Sequence, residues 1–359
     1  MKLTDLLGDT KAAIMLGSGG VGKTTSSVGL AILAASEGKR VAVLSIDPSK
    51  RLAKALGFEP TSSLQLLSLP FIENGKGGSV HAAVVDQKKI FDDVVRKFGK
   101  SKKQIDQILS HSLYKAASSN LSGPIEYMSL AKFGELMEDD RFDLVILDTP
   151  PDNNALDFLA RPNILAGFID KKIMKWLVKP FALAGKFGFS KLLTVGEKLM
   201  GGLAKITGVS MLSQFANFLV MMQEVIEGFH SVGSDVLKIL NDEKTRFFMV
   251  VSVAEDRMPG VEQFCSQLND MGYELSGYIA NRCLSADVQK ELESINSKNV
   301  DGHIQHYLNR SEIQKSILKA LKTMAKKKGN TNIFEVNDLI GEIDNLEIFS
   351  KYIENLRSL

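Results

Sequence analysis

The sequence predicts an α/β fold, a mostly parallel sheet covered by helices on both faces and carrying an inserted helical subdomain. Three observations predict it. Short, almost continuously apolar runs recur at "AAIML" (12–16), "RVAVLSID" (40–47), "VHAAVVD" (80–86), "FDLVILD" (142–148), "RFFMVVSV" (246–253) and "LSGYIAN" (275–281). They do not alternate polar with apolar, and helical patterns separate them, as expected of parallel strands buried on both faces. The stretch from about 161 to 241 has no strand pattern and is long for one crossover, so it reads as a helical insertion.

Element by element, "AAIML" is a buried strand, "GSGGVG" a glycine loop and "KTTSSVGLAILAAS" a helix leading to the strand "RVAVLSID". The chain to residue 330 reads as one domain interrupted by the insertion. The segment 331–359, with "NIFEVN" and an acidic helical pattern behind it, reads as a C-terminal tail that is largely helical. At 359 residues and 44% hydrophobic, there is ample material for one large core. A net charge of +2 gives no basis for nucleic-acid binding. The cysteines are Cys265 and Cys283, too far apart for a metal-binding pair, which suits a reducing, cytoplasmic setting. The N-terminus lacks a signal-type apolar core. Apolar runs such as "FANFLVMM" fall short of the roughly 20 residues that span a bilayer, so any membrane contact is expected to be peripheral.

The chemistry is concentrated in "GSGGVGKTT", which contains G-x-x-x-x-G-K-[ST] as Gly17, Gly22, Lys23 and Thr24. Glycines let successive backbone N–H groups point at phosphate oxygens, here along Gly17, Gly19, Gly20, Val21 and Gly22 and on into Thr25. Lys23 would reach the β- and γ-phosphates, and the Thr24 hydroxyl would hold Mg²⁺. A helix beginning at Lys23 aims its positive end at the same anion. The predicted fold is therefore that of a P-loop triphosphatase, with ATP and Mg²⁺ as its ligands. Asp148 ends "FDLVILD" and suits the magnesium shell, most simply through water; Asp47 ends "RVAVLSID" and suits action on the attacking water. The blander role for each is a turn or helix N-cap aspartate.

The double glycine of "GSGGVGKTT" resembles the deviant Walker A loop of dimeric ATPases, among them the septum-site and plasmid-partition ATPases. Within that class, "SIDPSKRLAKALGF", "LSGPIEYMSLAKFGEL" and "FDLVILDTPPDNNALDFLARP" resemble the arsenical pump-driving ATPase (ArsA) family, which includes targeting factors for tail-anchored membrane proteins. The likeness spans roughly residues 10–285. It implies Lys23 and Thr24 as phosphate and magnesium ligands, Asp47 as the switch I aspartate and Asp148 as the switch II aspartate. It also implies Asn281 as the reader of the adenine edge, with Arg282 beside it. The partners it implies are ATP, a second copy or a paralogous ATPase in a nucleotide-closed dimer, and a hydrophobic client helix.

Three features depart from the family pattern. Ser18 stands where the family's signature lysine reaches across to the partner's phosphates; Lys50 or Arg51 could supply the missing charge. Two separated cysteines cannot form a three-thiol arsenite site, and the zinc-binding CxxC of the eukaryotic targeting factors is absent. The chain also carries one P-loop, not a tandem pair.

The insertion carries three apolar stripes: Ile169, Ile173, Trp176 and Leu177; Leu192, Val195, Leu199, Leu203 and Ile206; and Phe215, Phe218, Met222, Ile226 and Phe229. Pro180 and five glycines between 185 and 202 break the first two. A client surface, a packed layer on the ATPase core and a lipid-facing helix all fit these stripes. His303 and His306 sit three apart and read as surface residues for want of a third ligand. The leading function is an ATPase coupling dimer closure to a hydrophobic client. The alternative, which Ser18 favours, is a weakly hydrolysing partner subunit of a heterodimer.

Overall fold

The computed structural model describes residues 2–46, 63–67, 77–85, 87–115, 124–150, 155–156, 158–160, 209–295, 300–327, 329, 331–338 and 346–357. The chain divides into two compact units, one of residues 1–85, 133–160 and 239–359, the other of residues 86–132 and 161–238.

The first unit is built on an eight-stranded sheet. Its strands are β1 (Ala12–Leu16), β2 (Arg40–Ser45), β3 (Gln65–Leu66), β4 (Ser79–Val84), β5 (Leu144–Asp148), β6 (Thr245–Ser252), β7 (Leu275–Cys283) and β8 (Asn332–Asn337). They lie in the order β3-β4-β2-β5-β1-β6-β7-β8. Every pairing is parallel except β3 with β4. All five residues of β1 and of β5 are buried, which explains their unbroken apolar sequences.

The sheet order turns at β1. Strands β2 to β5 lie to one side of it and β6 to β8 to the other. The loop leaving β1 therefore opens at a topological switch point, where open α/β sheets bind ligands. Register aligns the strand ends around that point. Met15 and Ser45 both lie level with Asp148, Leu16 pairs with Met249, and Ser252 pairs with Asn281.

Helix α1 (Leu3–Gly8) precedes the sheet, and α2 (Lys23–Ser36) follows β1. The sequence of α2 is apolar almost all round, and the helix is correspondingly buried from Val28 to Ala35. On the far side of the chain, α7 (Met258–Asp270) follows β6, while α8 (Ala286–Ser294) and α9 (Gly302–Lys327) follow β7. The C-terminal segment joins this unit fully. β8 pairs with β7, and α10 (Leu346–Arg357) places Tyr352, Ile353 and Leu356 in the same core cluster as α2.

The second unit is helical in its described part, with α3 (Gln87–Phe98) and α4 (Lys102–Ser110). α5 (Pro124–Met137) and α6 (Val209–Leu240) run from it into the first unit's sequence. Ser101 caps α4 by accepting from the Gln104 backbone N–H at 3.2 Å. The Gln104 side chain donates to the Met221 carbonyl and to Glu224, and Lys100 pairs with Glu224. His111 stacks on Phe218 at 4.8 Å.

The buried face of α6 differs from the stripe the sequence suggests. Met222 is buried, but Phe218 and Ile226 are only half so, and Val225, which the stripe omits, is fully buried. Gly228 explains the shift, because the Phe98 ring occupies the space a Cβ would need there. The side chains of Phe215 and Phe229, and the stripes at 169–177 and 192–206, lie outside the described residues. His303 and His306 are exposed on α9, and among the described residues no cluster of three or more His, Cys, Asp or Glu could hold a metal ion. Among those residues, no helix is long and apolar enough to cross a membrane.

Candidate functional site

The loop Gly17–Gly22 joins β1 to α2 and depends on glycine at both ends. Gly17 has φ 142° and Gly22 has φ 96°, backbone conformations that side-chain-bearing residues avoid. A Cβ at Gly17 would collide with the Val250 carbonyl, and one at Gly22 with the Asn281 amide. The motif's first and last glycines are thus fixed by contacts from β6 and β7 as well as by the turn itself.

Lys23 opens α2 and is 8% exposed. Its ammonium turns back over the loop, donating to the Gly17 carbonyl at 2.7 Å and the Ser18 carbonyl at 2.9 Å. The charge is therefore held inside the curve of the loop, on its Gly17–Ser18 arm.

Beneath it lies a buried carboxylate. Asp148, at the end of β5, is fully buried. Its Oδ2 accepts from the Thr24 hydroxyl at 2.7 Å and from the Ser45 hydroxyl at 2.9 Å; its Oδ1 accepts a longer bond from Ser27 at 3.5 Å. Parallel register sets this up, because Ser45 and Asp148 are paired residues on adjacent strands. Thr149 is tied to β1 through the Met15 carbonyl at 2.6 Å, which fixes the strand end. Hard oxygen donors gathered from Thr24, Ser45 and Asp148 fit a Mg²⁺ shell, since Mg²⁺ favours carboxylate, hydroxyl and water oxygens.

Asn281 closes the other side. It is 5% exposed, and its side-chain amide donates to the Val21 carbonyl at 2.9 Å. It therefore braces the same loop that Lys23 spans. The next residue, Arg282, has φ 63°, a left-handed conformation unusual for a residue with a Cβ. Its carbonyl accepts from Arg310 at 2.9 Å, and the Arg310 guanidinium is in turn paired with Asp338 after β8.

Of the residues singled out from sequence, Lys23, Thr24, Asp148 and Asn281 converge on one loop, and Arg282 lies at its margin. Asp47, Lys50 and Arg51 lie outside the described residues. Three participants were not anticipated: Ser45, Ser27 and Arg257, whose guanidinium donates to the Gly19 carbonyl at 3.2 Å. Ser45 is an ordinary strand serine until parallel register places it beside Asp148. Arg257 lies just beyond the end of β6, and position after a strand end was a signal available for it.

Known proteins place the chain. The sequence profile of the anion-transporting ATPase (ArsA ATPase) family matches residues 10–324. The protein named ATPase ASNA1 homolog 1 of Paramecium tetraurelia is 25% identical over 283 residues, covering 79% of this chain and 78% of that protein. The protein named ATPase get3 of Aspergillus niger is 23% identical over 345 residues, covering 95% and 88% respectively. The chain belongs to the anion-transporting ATPase (ArsA) family and is a nucleotide-binding ATPase.

Proposed function

We propose that the chain binds ATP with Mg²⁺ in the Gly17–Thr25 loop and hydrolyses it to drive closure of a dimer that handles a hydrophobic client. The observation that carries the reading is the pairing of a buried lysine with a buried oxygen cluster across one loop. Lys23 bonds the Gly17 and Ser18 carbonyls, and Asp148 gathers the Thr24 and Ser45 hydroxyls.

In this reading the Lys23 ammonium exchanges its two carbonyl partners for β- and γ-phosphate oxygens, a trade of neutral acceptors for charged ones. The backbone N–H groups of Gly19 to Thr24 and the positive end of α2 hold the remaining phosphate charge. Thr24 would hold Mg²⁺ directly and Asp148 through water, with Ser45 and Ser27 fixing the carboxylate's orientation. Mg²⁺, when bound, supplies positive charge that offsets the charge of the phosphate oxygens. Asp47 orients and deprotonates the attacking water. Asn281 reads the adenine edge from the position where it now braces Val21, and Arg282 flanks it. The chain's own contribution is positioning and charge, as phosphoryl transfer requires.

Dimer closure, with itself or with a paralogue, and the client are carried by the family resemblance. The two cysteines, both buried and reduced, suit a cytoplasmic setting. The test is turnover and sedimentation of the purified chain with and without ATP-Mg²⁺, alongside Asp47→Asn. We expect nucleotide-dependent dimers for both, and turnover slowed about 100-fold or more in the variant. Undiminished turnover would return Asp47 to a turn residue. Ser18 favours a second reading, a weakly hydrolysing subunit of a heterodimer; turnover that appears only beside a paralogue would establish it.

A further inference from the structure

With Ser18 in the loop, Lys23 is the one cation within Gly17–Thr25. The charge on the β/γ end of a bound triphosphate, and the further charge that develops there during transfer, then has a single ammonium inside the loop. The structure brings a second cation to the same arm. Arg257, between β6 and α7, donates from Nη1 to the Gly19 carbonyl at 3.2 Å. Lys23 and Arg257 therefore donate to three successive carbonyls, Gly17, Ser18 and Gly19. Lys23 is the group that reaches the β- and γ-phosphates in loops of this pattern, so Arg257 borders the same end of the triphosphate.

The guanidinium is held in place. Its Nε and Nη2 both donate to Glu255 Oε2, at 3.0 and 2.6 Å. Asp256 does not compete for it, since its carboxylate accepts from the Met258 backbone N–H at 3.2 Å at the start of α7. A guanidinium carries five N–H donors. Three of them are used here, one on Gly19 and two on Glu255, and two remain for an anion. The side chain is 51% exposed, so reaching a phosphate oxygen requires no unburying. It lines a cleft of about 510 Å³ together with Ser18, Gln263 and Gln267 and the apolar side chains of Met249, Val261 and Phe264, so the space beside the loop is open and of mixed polarity.

We propose that Arg257 is a catalytic residue that contacts the β/γ end of the triphosphate bound to its own chain and stabilises the charge that develops during phosphoryl transfer, in place of the charge Ser18 lacks. The inference rests on reading Gly17–Thr25 as the triphosphate loop. Glu255 is the positioning residue that keeps the guanidinium facing Gly19.

The test compares wild type with Arg257→Ala and Arg257→Lys for turnover, ATP affinity, and affinity for ADP with aluminium fluoride, which mimics the transferring phosphoryl group. We expect Arg257→Ala to lower kcat by about 100- to 1,000-fold, the scale of losing one preorganised donor. ATP affinity should move by less than about threefold, because the contact strengthens only in the transition state. Arg257→Lys should regain part of the loss, as a point charge without the fork. Affinity for the fluoride complex should fall with kcat, a readout independent of how fast the wild type turns over. Unchanged turnover and unchanged fluoride-complex affinity in Arg257→Ala overturn the inference. So does a loss of ATP affinity large enough to account for the whole effect. Activity regained on mixing Arg257→Ala with Lys23→Ala would show the arginine serving a partner's phosphates and overturn the same-chain claim. Lys23→Ala alone separates the two levels: if it leaves ATP binding intact, the loop reading itself fails and takes this inference with it.

Discussion

Tyr352 on α10 ties the C-terminus to the helix that begins with Lys23 and Thr24. Its hydroxyl lies 2.9 Å from the Ser26 hydroxyl, and both residues are buried. Burial pushes the phenol up to about 12, so it stays protonated and available for that bond at any working pH. The ring fills space beside Gly29, where a Cβ would strike Tyr352 and Leu356. Tyr352→Ala should therefore cost about 3–5 kcal/mol, the range for emptying a buried aromatic site. Tyr352→Phe keeps the ring but leaves the Ser26 hydroxyl buried without this partner, at about 1–3 kcal/mol. Ser26→Ala should cost a similar amount for the mirror-image reason. The double variant Ser26→Ala/Tyr352→Phe leaves no orphaned hydroxyl, so its cost should fall short of the sum by about 1 kcal/mol or more. Urea unfolding followed by circular dichroism measures all four. Additive costs, or a Tyr352→Ala variant within about 1 kcal/mol of wild type, well below the usual range for such a truncation, would refute the view that α10 is docked on α2 through this pair.

Gly22→Ala forces a Cβ onto a φ of 96° and into the Asn281 amide, and should cost roughly 1–2 kcal/mol for the left-handed backbone alone. ATP titration of this variant should show binding lost, while far-ultraviolet dichroism stays native. Cys265 and Cys283 are each 2% exposed, and burial pushes the Cys283 thiol up to about 12. Iodoacetamide at mildly alkaline pH should therefore label neither until the protein is unfolded in urea. The Arg40 side chain and backbone N–H hold the Asp143 carboxyl down at about 2, below its ordinary 3.8. Its native value is the lower one, so its contribution is present above about 3.8 and fades as pH falls toward 2. Asp143→Asn should lower stability at neutral pH and leave it nearly unchanged near pH 2, so that the acid limb of a stability–pH curve flattens in that window.

Much of this site is readable in the sequence because its parts are local. "GSGGVGKTT" holds loop, lysine and helix start within nine residues, and Asp148 and Asn281 announce themselves as polar ends of apolar strands. What the sequence withholds is lateral. Ser45 meets Asp148 only through the β2–β5 register, and Ser27 only through the turn of α2. Arg257 meets Gly19 across 238 positions of chain. The tail's place was equally hidden. Nothing in "NIFEVN" says that it pairs with β7, which two helices separate from it, or in "LEIFSKYIENLR" that Tyr352 and Leu356 pack on α2, which lies some 300 residues earlier in the sequence. On α6 the sequence shows Met222 on the buried face but not Val225 beside it, nor that the Phe98 ring lies against Gly228.

The central claim is that the Gly17–Thr25 loop is where this ATPase holds its triphosphate, with Lys23 as the charge inside it. Isothermal titration of wild type and Lys23→Ala with a non-hydrolysable ATP analogue and Mg²⁺ tests it most directly. The Lys23 ammonium donates to loop carbonyls at 2.7 and 2.9 Å, so the variant removes contacts of the loop and should fold, which far-ultraviolet dichroism checks. It should bind the analogue at least about 100-fold more weakly, the scale of losing a buried charge-assisted contact of roughly 3 kcal/mol. Equal affinity in the two proteins, with turnover unchanged, would contradict the account.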